Sequence, residues 1–352
     1  MMESVLDALN QALRRAMASN PDVLLLGEDL LDPYGGAFKV SRGLSSVYPE
    51  QVLTTPISEA GMVGLAGGMA LRGLRPVVEI MFGDFVTLAA DQLINHAAKF
   101  RWMYNDSVQV PLVVRTPMGG RRGYGPTHSQ SLEKLFLGVP GLRVLAPVNL
   151  SAPGAGGPDE LLYAAICAQN DPLLFVENKL QYLLPVYTPA DLPDFEIAVE
   201  YGAGGAPEGF SSDFSAHAPC YRLTIQGAPP PVVTLAAYGY MAELARQAAL
   251  RLAYEDEIFC EVVVPTQLAP FALQPLLDAV GRSGRLLAIE ESSGDLGWSA
   301  EVLARAAEGL GTRLKAARRL SAAPIPVPAS PALEQAALPQ LDDILKKVRE
   351  LF

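Results

Sequence analysis

A glutamate followed by a stripe of small residues is the densest chemical signal in this chain. In Thr54-Thr55-Pro56-Ile57-Ser58-Glu59-Ala60-Gly61, continued by Gly64, Gly67 and Gly68, an extended piece gives way to a helix and Glu59 falls in its first turn. A carboxyl at that place most often serves the helix dipole and the free N–H groups. Held against an apolar surface, it can instead keep its proton to near neutral pH and act as an acid. The loop 118–131, rich in Gly, Arg and Ser, offers a second set of groups. His128 can change charge near neutral pH. Arg121 and Arg122 carry planar donor forks that suit phosphate, although exposed arginines in a basic turn are the commoner case. Phe85, taken alone, reads as a core aromatic at the start of a helix. There is no GxGxxG or Walker spacing, no CxxC and no GxSxG. A nucleotide fingerprint, a thiolate zinc site and a serine-hydrolase elbow are thereby set aside.

These residues need elements to hold them. Apolar positions recur at helical spacing over 5–17, and Asn20-Pro21 closes that helix. Strands are expected at 23–26, 52–53, 76–82, 111–115, 142–146 and 173–176, with helices at 57–71, 85–103, 132–137 and 160–168. Such alternation specifies a mostly parallel sheet with helices on both faces. The stretch 183–231, rich in Pro, Gly, Ser and Ala, breaks the rhythm and reads as a linker with an insertion. Strands at 232–237, 258–264 and 286–290 and helices at 241–254, 271–280, 299–310 and 341–351 make a second unit. A proline-rich hinge, 322–331, precedes the last helix. The expectation is two doubly wound α/β domains, 1–184 and 231–352, joined by 185–230.

Composition narrows the partners. A net charge of -11 repels polyanions, so nucleic acid and acidic membrane surfaces are poor candidates. Cys167, Cys220 and Cys260 are odd in number and widely spaced, which favours a reducing cytoplasm over a disulfide framework. The first 20 residues lack a signal peptide's apolar core, and no apolar run is long enough to span a membrane. Half of all residues are apolar, so some apolar surface is expected to be covered by other subunits.

The order of several blocks says more than any one of them. Gly27-Glu28-Asp29, Gly35-Gly36, the 55–68 block, Arg75-Pro76-Val77-Val78-Glu79, Asp91-Gln92, the 110–115 strand, His128-Ser129-Gln130-Ser131, Pro140-Gly141-Leu142 and Asp171-Pro172 follow one another. This series resembles the beta subunit of the thiamine-diphosphate-dependent decarboxylase component of 2-oxoacid dehydrogenases, a relative of transketolase. It runs from about 3 to 180 and continues more loosely from about 232 to 320. The resemblance implies that the first domain holds the aminopyrimidine half of thiamine diphosphate, with Glu28, Glu59 and Phe85 at the cofactor. The residue matching Glu59 meets the pyrimidine nitrogen opposite the amino group, so that the imino tautomer can take the thiazolium C2 proton. Phe85 matches the aromatic position that stacks on the pyrimidine. His128 matches the histidine at the active-site mouth, which helps acyl transfer to a lipoyl group or meets the substrate carboxylate. Leu112 and the turn from Ile166 to Asp171 lie where relatives often place a potassium ion, chiefly on backbone carbonyls.

Half of such a site is missing. Relatives bind diphosphate and magnesium through Gly-Asp-Gly with a later asparagine, and this sequence has no Gly-Asp-Gly. The resemblance therefore implies an alpha subunit that supplies those ligands, in an α2β2 heterotetramer, with a lipoyl or acyl-carrier domain as acceptor. Three departures stand out: the long linker, Val264-Pro265-Thr266 at a strand end, and Arg121-Arg122. The arginine pair raises a rival to an ordinary 2-oxo acid donor, namely a ketose phosphate giving up a two-carbon glycolyl unit. An inactive structural subunit is the alternative of another class. Glu290-Glu291 reads as a solvated carboxylate pair at a sheet edge, and the second domain as a unit for subunit association and acceptor docking.

Overall fold

The computed structural model describes residues 2–202, 210 and 214–352. Helix α1 (Val5–Ser19) begins where Ser4 Oγ accepts the Asp7 N–H at 3.2 Å, and it buries Val5, Leu9, Leu13 and Ala16 along one stripe. The first half continues with β1 (Val23–Gly27), α2 (Leu44–Val47), β2 (Val52–Thr54), α3 (Glu59–Leu71) and β3 (Arg75–Glu79). It closes with α4 (Ala98–Met103), β4 (Val113–Met118), β5 (Arg143–Leu145), α5 (Pro158–Cys167) and β6 (Leu173–Asn178). The second half holds β7 (Phe195–Glu200), β8 (Cys220–Ile225), β9 (Val233–Ala237), α6 (Tyr240–Asp256), β10 (Cys260–Pro265) and β11 (Gln267–Ala269). It ends with α7 (Gln274–Ser283), β12 (Arg285–Ser293), α8 (Trp298–Leu310), β13 (Ala316–Ala322), α9 (Pro331–Ala337) and α10 (Leu341–Arg349).

Two α/β sheets result. The first has the order β11-β5-β6-β4-β3-β1-β2 and is parallel except for β11. Its central strands, with Leu25, Val77, Val114 and Leu174 buried, are covered on both faces, which is why they read as continuous apolar runs. The second has the order β13-β12-β9-β10-β8-β7, with β7 and β8 antiparallel to their neighbours. No helix among the described residues is long and apolar enough to cross a membrane.

The structure departs from the sequence reading in four places. The expected linker is not irregular throughout: β7 and β8 pair in register Phe195↔Ile225, and β8 joins β10 through Glu261↔Thr224. Residues 203–209 and 211–213 of that stretch lie outside the described residues. The single helix expected over 85–103 is three pieces, a 3-10 turn at Gly83–Ala89, a π-helical turn at Gln92–Ala97, and α4. Gly83 lies so close to Met118 that a Cβ would collide with it, which fits the tight first turn; π turns are frequent near functional sites. The helix expected over 132–137 is a 3-10 turn at Glu133–Leu135. Finally, β11 leaves the second half and adds itself to β5, so one sheet is built by both halves.

Candidate active site at the carboxyl edge of the first sheet

Strands β2, β1, β3 and β4 are consecutive neighbours, and each delivers a candidate residue just past its carboxyl end. That edge is where parallel α/β sheets bind ligands. β1 delivers Glu28, β2 leads into Glu59, β3 leads into Asp84 and Phe85, and β4 leads into the His128 loop. Gly27 is required at the end of β1, because a Cβ there would stand 2.9 Å from the Glu79 carbonyl oxygen.

Glu28 and Glu59 are both buried, at 6% and 5% exposure. Burial first, then the charges of Glu59 and Asp29, raise the Glu28 carboxyl above its usual range, opposed by the Ser58 backbone N–H. Glu28 Oε1 has no hydrogen-bond partner among the described residues. An orphaned buried carboxylate oxygen is costly, so this is a place prepared for a polar group. Ser58, the N-cap of α3, makes no side-chain capping bond, and Glu59 follows it directly in the buried first turn.

Phe85 and His128 are brought together across 43 residues of sequence. The His128 ring stands edge-on to Phe82 at 4.6 Å and to Phe85 at 5.2 Å between centroids. Its Nδ1 is 2.9 Å from Thr127 Oγ1, and its backbone carbonyl accepts Lys179 Nζ at 2.5 Å. Lys179 has no exposed surface and lies over the Phe82 and Tyr124 rings. Burial pushes its amine down to about 8, partly offset by Asp84 and Glu291. Asp84 is buried too; Gln130 Nε2 donates to its Oδ1 at 2.9 Å, while Oδ2 has no partner among the described residues. Lys179 and Asp84 were missed by sequence reasoning. The one available signal for Lys179 was a lysine directly after a buried strand.

A charged ladder lies beneath this edge. Arg115 of β4 sends Nε and Nη2 to the Glu177 carboxylate at 2.8 and 2.6 Å and Nη1 to Glu79 of β3. Ser41 Oγ and Tyr182 OH each donate to this pair of carboxylates at 2.5 Å. The three charged side chains are buried, and their mutual bonding fixes the relative height of β3, β4 and β6 where the site begins.

Other expected residues stand elsewhere or differently. Arg121 is not a solvated turn residue: its side chain is 13% exposed, and Nη2 donates to the Pro339 carbonyl at 2.6 Å. Arg122 is exposed and gives Nη2 to the Lys179 carbonyl at 3.1 Å. Glu290 and Glu291 are a second correction. β12 runs between β13 and β9, not at an edge, and both carboxylates are buried. Glu290 accepts the Trp298 and Ser299 N–H groups at the start of α8, and Glu291 accepts Gly120 N–H at 2.7 Å. The potassium ligands expected at Leu112, Ile166 and Asp171 do not form an open oxygen cage. The Leu112 carbonyl accepts Leu173 N–H at 2.8 Å, and the Ile166 carbonyl accepts Arg75 Nε at 2.6 Å. Asp171 is buried, with Arg143 Nη2 at 3.9 Å. Arg75 also donates through Nη2 to the Gln169 carbonyl, so its guanidinium already places positive charge on the 166–169 turn.

Comparison with known proteins identifies the family and the fold. The transketolase pyrimidine-binding domain model matches residues 3–183, and the transketolase C-terminal domain model matches 226–344. A mitochondrial pyruvate dehydrogenase E1 component subunit beta-2 of Oryza sativa subsp. japonica is 37% identical, over 98% of this chain and 85% of its own. The acetoin:2,6-dichlorophenolindophenol oxidoreductase subunit beta of Bacillus subtilis is 34% identical, over 99% of this chain and 97% of its own. Among solved structures, a split-gene transketolase, described as an inactive beta4 tetramer, shares the fold with a TM-score of 0.71 at 20% identity, over 99% of this chain and 98% of its own. With two transketolase domains in sequence and beta-subunit relatives covering nearly all of it, the chain belongs to the beta-subunit family of the decarboxylase component of 2-oxoacid dehydrogenases.

Proposed function

We propose that this chain supplies the pyrimidine side of a thiamine-diphosphate site in a heteromeric enzyme that decarboxylates a 2-oxo acid and passes the acyl unit to a lipoyl group. The observation that carries the reading is the convergence of Glu28, Glu59, Phe85 and the His128 loop on four neighbouring strand ends, with Glu28 Oε1 left unpartnered. A heteroaromatic ring with a protonatable nitrogen and an amino group fits such an edge. Glu59 would meet the ring nitrogen as the acid, Glu28 would take a polar edge, and Phe85 would offer a face. Thiamine diphosphate, when bound, supplies the electron sink for cleaving the bond to the substrate carboxylate. His128, half-buried beside Phe85, would meet the substrate or the incoming acceptor.

Magnesium and diphosphate are assigned to an alpha chain, because this sequence contains no Gly-Asp-Gly. The surface supports an intimate partner. Gly61, Leu65 and Gly68 are exposed at positions that share one face of α3, and Ile57, Leu88 and Trp102 are 84%, 58% and 86% exposed. Arg121 is already tied to the Pro339 carbonyl, which favours a 2-oxo acid over a ketose phosphate as donor.

Co-expression with the alpha partner and a Glu59→Gln substitution test the reading. Cofactor should still bind within a few-fold of the parent, while turnover of pyruvate or a branched 2-oxo acid on a lipoyl acceptor falls at least about 100-fold. Undiminished turnover by Glu59→Gln would remove Glu59 from the chemistry. Turnover of xylulose 5-phosphate alone would replace the donor.

A further inference from the structure

The loop that carries His128 is poorly equipped to hold itself. Gly119, Gly120, Gly123 and Gly125 all lie within it, and three of them have positive φ. Such a segment has many conformations available to it. Beside the bonds of Gly120 N–H to Glu291 and of Lys179 to the His128 carbonyl, its amino-terminal part is held by the far end of the chain. Glu334 of α9, 4% exposed, accepts the Arg121 N–H at 2.7 Å through Oε1 and the Gly123 N–H at 3.1 Å through Oε2. The Arg121 side chain reaches back to the Pro339 carbonyl, beyond the end of the same helix.

Two further observations show that this contact is tight. A Cβ on Gly120 would stand 2.6 Å from Leu338 Cδ1, and one on Gly125 would stand 3.3 Å from the Ala329 Cβ. Arg121 itself has φ 68°, a left-handed conformation uncommon for a side chain of its kind. Residues in such conformations persist where their surroundings over-determine them, and here both the N–H and the guanidinium are held by the 334–339 stretch.

We propose that Glu334 is a positioning residue for His128: the C-terminal 327–339 segment straps the 119–128 loop, and both oxygens of the Glu334 carboxylate fasten it. The strap acts at the amino end of the loop, while Lys179 holds the other end at the His128 carbonyl. The inference rests on the reading of His128 as a group that meets substrate or acceptor. A misplacement near 1 Å at such a group can lower turnover by about 100-fold.

The test uses the reconstituted alpha–beta enzyme with Glu334→Ala and Glu334→Gln, and with His128→Ala alongside. Hydrogen exchange reads the 121–130 amides, and steady-state kinetics read kcat and the cofactor KM. Glu334→Ala should speed loop exchange at least 10-fold and lower kcat about 10- to 100-fold, with the cofactor KM unchanged. Glu334→Gln keeps one acceptor oxygen and the side-chain volume, so it should fall between parent and Glu334→Ala even if the alanine variant assembles badly. Unchanged exchange at 125–130, or faster exchange with undiminished kcat while His128→Ala is impaired, overturns the proposal. If His128→Ala alone leaves turnover intact, the reading of His128 fails, and the exchange arm still decides whether Glu334 fastens the loop.

Discussion

Replacing Lys179 with methionine should separate stability from activity. The amine has no exposed surface, donates to the His128 carbonyl at 2.5 Å and is held at about 8 by burial. Between about 8 and the ordinary 10.5 the folded chain has released a proton that the unfolded chain still binds, so stability rises with pH across that window. At about 1.4 kcal/mol per pH unit, charging this amine costs the fold about 3 kcal/mol at neutral pH. The charged hydrogen bond lost with it is worth about 1.5–3 kcal/mol, and a methionine fills much the same volume. The two effects nearly cancel, so Lys179→Met should change stability at pH 7 by less than about 2 kcal/mol. Turnover should still fall, because the tether on His128 is gone. Melting temperatures of parent and variant assemblies, compared from pH 7 to about 9.5, check the arithmetic. The parent should gain about 2 kcal/mol on the variant over that range, a relative rise of about 4–8 °C. A pH-independent difference, or a loss above about 4 kcal/mol at pH 7, would refute the claim that the fold carries this charge at a cost.

Two other perturbations probe the frame around the site. Glu133 is buried against Tyr238, and burial raises its carboxyl to about 7 from 4.5. The folded chain therefore holds a proton that the unfolded chain has lost, and this group's contribution declines as pH rises from about 4.5 to 7. Glu133→Gln should remove that decline and be more stable than the parent at pH 8 by up to about 3 kcal/mol, measured by urea unfolding. Arg115→Met would strand the Glu79 and Glu177 carboxylates without their cation. It should lose about 3–5 kcal/mol, or fail to assemble, whereas a double replacement that also removes Glu177 should recover part of the loss.

How much of this was legible follows from distance along the chain. The parallel strands of the first sheet are buried on both faces, so Val77-Val78 and Val113-Val114 announce themselves as apolar runs. Glu59 was legible through its small-residue neighbours, since the strand, turn and helix that place it are all local. β7 and β8 were not, because Glu196 is exposed, Arg222 and Thr224 are half-buried, and the strands flank a Pro- and Gly-rich stretch. β11 is three residues long and pairs 122 positions away, at Leu145. The pairing of Glu290 and Glu291 with N–H groups of α8 and of the 119–123 loop depends on β12 being internal, which composition does not reveal. Lys179 meets His128 across 51 residues and Glu334 meets Arg121 across 213. A charged residue in such a contact looks, in sequence, like any solvated one.

That separation bears on what the second half of the chain is for. Subunit association alone would ask it for an apolar face and a soluble rim. Instead it contributes β11 to the first sheet, and two buried carboxylates, Glu291 and Glu334, to N–H groups of the 119–123 loop. Burying a carboxylate is unfavourable unless its oxygens are hydrogen-bonded, and the backbone of this glycine-rich loop supplies N–H groups to both, beside Asn178 Nδ2 on Glu291. Any displacement of the second sheet against the first must then be felt at residues 120–123, five to eight positions before His128. On the function proposed above, a partner that shifts the second half would act on His128 through this loop.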